Sequence, residues 1–269
     1  MRKFFLAAAW FFSAAGPGFA TDPAIPLTVT SGFNADLIAD GTNSAGSSTT
    51  GGFDGAASVF YDSTYDVAHG NHGGAVPAGQ TINDAAGNLF SLAPATGNNA
   101  LLIGSGNPSG TLNLSYPLNA SLTGLLLLGT SAEGATILDY TLNFAGGVTS
   151  SGSFTFSDWF NPGASGTFNS FGRISLADEF NGETGRAYSL YTADIAIPVE
   201  DASLQLQSIT LAYNAANVDR FGVFPRAAIF GVSAFDPIIT PVPEPASTSL
   251  AVCGALALAA LGRRKFFKN

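Results

Sequence analysis

Between residues 21 and 240, apolar positions fall in short runs or strict alternation, broken by Gly, Asn, Ser and Asp, with almost no helical periodicity. Alternation sends successive side chains to opposite faces of a strand, and a solid apolar run marks a strand covered on both faces. The pattern predicts strands at 27–30, 36–40, 58–61, 89–92 and 100–103, the last two split by the turn-forming Thr96-Gly97-Asn98-Asn99. Residues 110–115 alternate, with Leu112 and Leu114 facing one way, and 121–129 carry an uninterrupted leucine run at 125–128. Segments 137–144 and 148–156 flank Ala145-Gly146-Gly147 and read as a β-hairpin, with Tyr140, Leu142 and Phe144 able to meet Phe154 and Phe156. Strands at 186–197, 205–213 and 227–234 follow, with 206–211 and 229–232 in the core. Stretches 44–52 and 69–74 read as loops. No repeat supports a solenoid or propeller. The expected fold is all-β: a single β-sandwich.

The two ends follow different rules. Arg2 and Lys3 precede an apolar run over 4–15, Gly16-Pro17-Gly18 breaks any helix, and small residues stand at Gly18 and Ala20. That order predicts a signal helix over 1–20, cleaved after Ala20. At the other end, Thr240-Pro241-Val242-Pro243-Glu244-Pro245 cannot join a sheet interior, because its prolines remove backbone donors. Residues 246–262 carry no charge and would reach roughly 25 Å as a helix, near the lower limit for spanning a bilayer. Arg263-Arg264-Lys265 and Lys268 follow and would stay cytoplasmic, with the large central region on the far side. A buried core helix would leave that basic cluster unexplained. The chain therefore divides into 1–20, a domain over 21–240 and a tail over 241–269.

Charge narrows the partners. The domain holds Arg173, Arg186, Arg220 and Arg226 as its only cations against eighteen carboxylates, a net of −14, and contains no Lys. Such a surface repels phosphate backbones and argues against nucleic acid. The one cysteine, Cys253, lies in the apolar tail, so the domain must be stabilised by core burial without a disulfide.

Candidate chemistry is sparse. His69-Gly70-Asn71-His72 with Asp62 and Asp66 offers zinc-type ligands in a Gly-rich loop, where solvated histidines are the simpler reading. Asp178, Glu179 and Glu183 form the densest acidic patch, able to hold calcium in principle but without EF-hand spacing. No cofactor is expected. Asp158-Trp159-Phe160-Asn161 allows two readings. An exposed Trp159 could stack on a sugar while Asp158 and Asn161 bond its hydroxyls. Alternatively Trp159 and Phe160 plug a strand end, which is the reading we favour. No G-x-S-x-G elbow, HExxH or domain cysteine is present, so the expected protein is not an enzyme. A glycosidase needs only two carboxylates, so a polysaccharide-acting hydrolase stays as a distant alternative.

Val242-Pro243-Glu244-Pro245, the apolar span and Arg263-Arg264-Lys265 closely resemble the PEP-CTERM sorting signal. The resemblance implies recognition of Pro243, Glu244 and Pro245 by an exosortase-like membrane enzyme in bacteria that make extracellular polysaccharide. The span and basic end would hold the substrate until processing; the span is short for a permanent anchor. A glycolipid-anchor signal normally lacks the basic end. In the domain, Asn98-Asn99-Ala100-Leu101-Leu102, the 140–144 hairpin arm, Ser157-Asp158-Trp159-Phe160-Asn161, Gly172-Arg173-Ile174 and Ala228-Ile229-Phe230-Gly231-Val232-Ser233 occur in an order that resembles secreted bacterial β-sandwich domains. Those domains are similar to jelly-roll carbohydrate-binding modules. The expectation is an exported, noncatalytic protein, held briefly at the inner membrane with its domain in the periplasm, then delivered to the cell surface or extracellular matrix. Extracellular polysaccharide is its expected partner, and a carbohydrate-binding module with a defined glycan site is the rival reading.

Overall fold

The computed structural model describes residues 23–116, 121–160, 168–180, 188–219 and 223–236, with backbone alone at Asn169 and Ser170. The signal segment with Ala20, the whole sorting tail, Asn161 and Glu183 lie outside the described residues. In chain order the first strands are β1 (Ile25–Pro26), β2 (Thr28–Ser31), β3 (Ile38–Ala39), β4 (Ser58–Tyr61), β5 (Thr81–Asn83), β6 (Leu89–Ser91), β7 (Leu101–Ile103) and β8 (Ser109–Ser115). Then come β9 (Gly124–Ala132), β10 (Thr136–Phe144), β11 (Thr149–Phe156), β12 (Phe168–Phe171), β13 (Ile174–Ser175), β14 (Tyr188–Ala196), β15 (Leu206–Tyr213) and β16 (Arg226–Phe235). Two short helices, α1 (Ala45–Ser48) and α2 (Ser63–Ala68), sit among the early strands.

The strands build an all-β sandwich. One sheet runs β1-β16-β9-β14-β12 with β7 also on β16, and the other runs β11-β10-β15-β8-β2. Every pairing within the two is antiparallel. Between them lies the main core: Leu112, Leu114, Leu138, Leu142, Phe144, Ile209 and Leu211 from one sheet meet Leu125, Leu127, Ile195, Ile229 and Val232 from the other.

The leucine run of β9 explains a third layer. All nine residues of β9 are buried. Leu125 and Leu127 enter the main core, whereas Leu126 and Leu128 point the opposite way into a second cluster with Leu37, Phe53, Phe60, Phe90 and Trp159. The first sheet is thus covered on its back by the β5–β6 hairpin and the small sheet β13-β4-β3. A strand apolar on both faces needs cover on both, and residues 33–100, with β13 and Trp159, supply the second. A β-bulge between Ile229 and Gly231 inserts Phe230 into the back cluster and returns Val232 and Ala234 to the main core.

The hairpin forms as the glycines predict. Gly146 and Gly147 both take positive φ, 82° and 79°, and Phe144 N–H donates to Val148 O at 2.9 Å. The stretch 44–52 is not all loop: it contains α1, whose Ala45 N–H is capped from a distance by Asp178 Oδ1 at 2.7 Å. In α2, Asp62 is the N-cap and accepts from Tyr65 N–H at 2.9 Å. Among the described residues no helix is long and apolar enough to cross a membrane.

Candidate functional site

Asp158 and Trp159 do not form a sugar platform. Trp159 is 2% exposed. The rings of Phe53 and Phe60 meet its ring edge-on at 5.0 and 5.1 Å, and Tyr188 packs at 5.0 Å. Its backbone N–H donates to Ser131 O at 2.6 Å, pinning the chain to the end of β9. Asp158 spends its carboxylate on backbone amides, accepting from Phe160 at 2.8 Å and from Gly134 at 2.5 Å. Trp159 is therefore a plug, because a large ring at the sheet end finds an apolar slot between the back layer and β14. Asn161, third of the proposed contacts, lies outside the described residues.

Arg173 completes this plug, a role that neither its charge alone nor its place in Gly172-Arg173-Ile174 predicts. Its guanidinium lies 4.7 Å from the centre of the Tyr188 ring and 5.6 Å from Trp159, and Nη1 pairs with the buried Asp54 carboxylate. Burial pushes the Asp54 carboxyl up, partly offset by the Ser58 amide and by Arg173. The signal available in sequence was the rarity of cations: with four in the domain, an Arg after a Phe-Gly pair is a candidate for a buried partner.

The histidine loop and Asp178 of the acidic patch also make structural contacts. Asp66 accepts from the backbone amides of His72 at 2.7 Å and Gly73 at 3.0 Å, so it shapes the loop. The His69 ring stacks on Tyr65 at 3.9 Å and the His72 ring on Phe180 at 3.7 Å. Asp178 accepts from Tyr65 Oη at 2.6 Å as well as from Ala45 N–H; the tyrosine hydrogen bond holds its carboxyl below the usual range. Among the described residues, no three His, Cys, Asp or Glu side chains gather as metal ligands.

The surface with the most organised chemistry is the outer face of β11-β10-β15-β8-β2. Inward positions on these strands carry the leucines of the core, and the alternate positions carry mostly hydroxyls and amides, with Ile137, Asp139 and Ala212 among them. Register aligns them in rows. One row crosses the sheet as Thr149, Asn143, Ser208, Asn113 and Ser31, and the next as Ser151, Thr141, Thr210 and Thr111. A third holds Ser153, Asp139, Ala212 and Ser109. The rows are wired together. Thr111 and Thr210 share a hydroxyl hydrogen bond of 2.9 Å, and Asn143 Nδ2 donates to Ser208 Oγ at 3.1 Å and Thr210 Oγ1 at 3.2 Å. Asn113 Nδ2 donates to Ser31 Oγ at 2.8 Å, and Asn214 Nδ2 donates to Asp139 at 2.7 Å. Asp139 is the only charge in these rows. Apart from Ser208, which is buried, the face can therefore offer fixed donors and acceptors at the sheet's own spacing, about 4.8 Å between strands.

No protein-family profile matches the chain, and no curated protein sequence is similar to it. Several solved structures are similar over part of it, three of which follow. PfGH50B is 10% identical with a TM-score of 0.30, covering 61% of this chain and 23% of its own. A carbohydrate-binding module specific for non-crystalline cellulose, CBM28, is 14% identical with a TM-score of 0.27, covering 54% and 79%. An agarase, AgWH50C, is 10% identical with a TM-score of 0.27, covering 63% and 24%. The chain spans about a quarter of the first and the third.

Proposed function

We propose that this jelly-roll-like sandwich is an exported, noncatalytic surface or matrix protein, sorted through Pro243, Glu244, Pro245 and its basic end by an exosortase-like enzyme and associated with neutral extracellular polysaccharide. The observation that carries the polysaccharide contact is the hydroxyl and amide face of the five-stranded sheet. A neutral glycan presents alternating donors and acceptors, and a face whose one charge, Asp139, is already bonded by Asn214 meets it without stranding that charge away from water. The net of −14 favours a neutral polymer over an acidic one. Each exposed hydrogen bond contributes only about 0.5–1.5 kcal/mol, so useful affinity needs many contacts at once, as along a polymer. The aromatic anchor usual in a tight, small sugar pocket is spent here on the core.

Affinity electrophoresis in gels containing neutral or uronate-rich polysaccharide tests this reading. Wild-type protein should be retarded by a neutral glycan, and Thr141→Val with Thr210→Val should weaken that retardation about tenfold, the effect of two lost hydrogen bonds. Failure of every neutral polymer to retard the wild type, or equal retardation of the double variant, would defeat it.

A further inference from the structure

The two edges of the five-stranded sheet are treated differently. At one end β2 is four residues long and its register with β8 shifts between Val29 and Ser31, a short and bulged edge of the kind that discourages further pairing. At the other end β11 runs eight residues, Thr-Ser-Ser-Gly-Ser-Phe-Thr-Phe, pairing β10 without a register shift. It has no charge, no proline and no bulge. Because Phe144 bonds Val148, the alternation of an antiparallel ladder turns the even-numbered residues of β11 toward β10. Thr149, Ser151, Ser153 and Thr155 then aim their backbone N–H and C=O groups away from the sheet, and all four are exposed. Their side chains are small hydroxyls.

We infer that β11 pairs antiparallel with β11 of a second copy, about a twofold axis through Gly152. The edge is self-complementary about that residue: Ser151 meets the partner's Ser153 and Thr149 meets the partner's Thr155, each pair exchanging N–H···O bonds both ways. Gly152 falls at the close, non-bonded position on the axis, where Cα atoms approach to about 4.5 Å. Any Cβ there would lie 2.6 Å from Tyr140 Oη on the inner side, so the glycine keeps the edge flat. Charge opposes the union, since each domain carries −14, and salt must therefore promote it. Pairing joins two five-stranded sheets into one and lets the hydroxyl rows run on across the axis. The pairing is argued from the edge alone and does not depend on the polysaccharide reading.

Light scattering on full-length protein in mild detergent, across a concentration series at low and at about 0.15 M salt, tests it. The expected result is a dimer whose dissociation constant falls at least several-fold as salt rises. Ser151→Pro, which removes an outward N–H where an edge strand tolerates proline, should raise that constant at least tenfold while the melting curve stays cooperative. Should Ser151→Pro fail to fold, Ser153→Lys supplies the same test through an edge charge. A monomer at every concentration and salt, or dimers unaffected by both variants, overturns the inference. Loss of glycan retardation in Thr141→Val with Thr210→Val alongside an intact dimer separates the two readings.

Discussion

Asp36 is a buried carboxyl bonded to the equally buried Asn99, whose Nδ2 donates at 2.6 Å while its Oδ1 accepts from Leu37 N–H at 2.9 Å. Burial pushes Asp36 up to about 6 from an ordinary 3.8, although the Asn99 bond pulls the other way. The folded state then holds this proton more tightly than the unfolded chain, so stability from Asp36 is present at low pH and is lost as pH rises through about 4 to 6. Burial raises Asp54 and Asp40 in the same sense, whereas the lowered Asp178 titrates below this window. Urea melts at pH 5 and 7 should show wild type more stable at pH 5, and Asp36→Asn should remove part of that difference, about 1–2 kcal/mol. Trp159 makes a second residue-scale test. Trp159→Ala should cost about 3–5 kcal/mol in chemical denaturation, because it empties a slot walled by Phe53, Phe60, Tyr188 and Arg173. Where the variant stays folded, its retardation by glycan should match wild type; a selective loss of binding would restore Trp159 as a contact.

At the level of elements, β9 is buried along its whole length and tolerates little change. A Cβ on Gly129 would lie 2.6 Å from Ala228 O and 2.7 Å from the Phe156 ring, so Gly129→Ala should destabilise by about 1–3 kcal/mol, read as a lower urea midpoint at unchanged slope. Sequence pattern located this strand, the β10–β11 hairpin and β14 to β16, because each is long enough for its period to show. It also anticipated that Leu125–Leu128 would be covered twice. It overlooked α1, α2, β1, β5, β12 and β13, each too short for periodicity, and α1 is capped by Asp178, far away in sequence. The hydroxyl face was legible in principle. Thr111, Asn113 and Ser115, then Thr149, Ser151, Ser153 and Thr155, alternate with the positions that hold the core. No pattern within one strand shows that Thr141, Thr210 and Thr111 stand abreast, since register is set between strands.

For the whole molecule, sorting is the testable claim. Glu244→Ala, or removal of residues 263–268, should leave unprocessed protein in the inner membrane, seen by cell fractionation and by mass spectrometry of the chain termini. Normal delivery and normal trimming of both variants would contradict the sorting assignment. The fold places the start and finish of the domain together: Ile25 of β1 lies opposite Ala234 of β16. The tail therefore departs from the strand that the rest of its sheet is built around. β16 is bonded to β9 from Arg226 to Phe235, and ladder bonds stand across the strands. On the proposed topology, a domain gripped by matrix while its tail is still anchored would feel tension along β16. That pull loads the ladder like a lap joint, every bond sharing the force at once, rather than peeling bonds apart in turn.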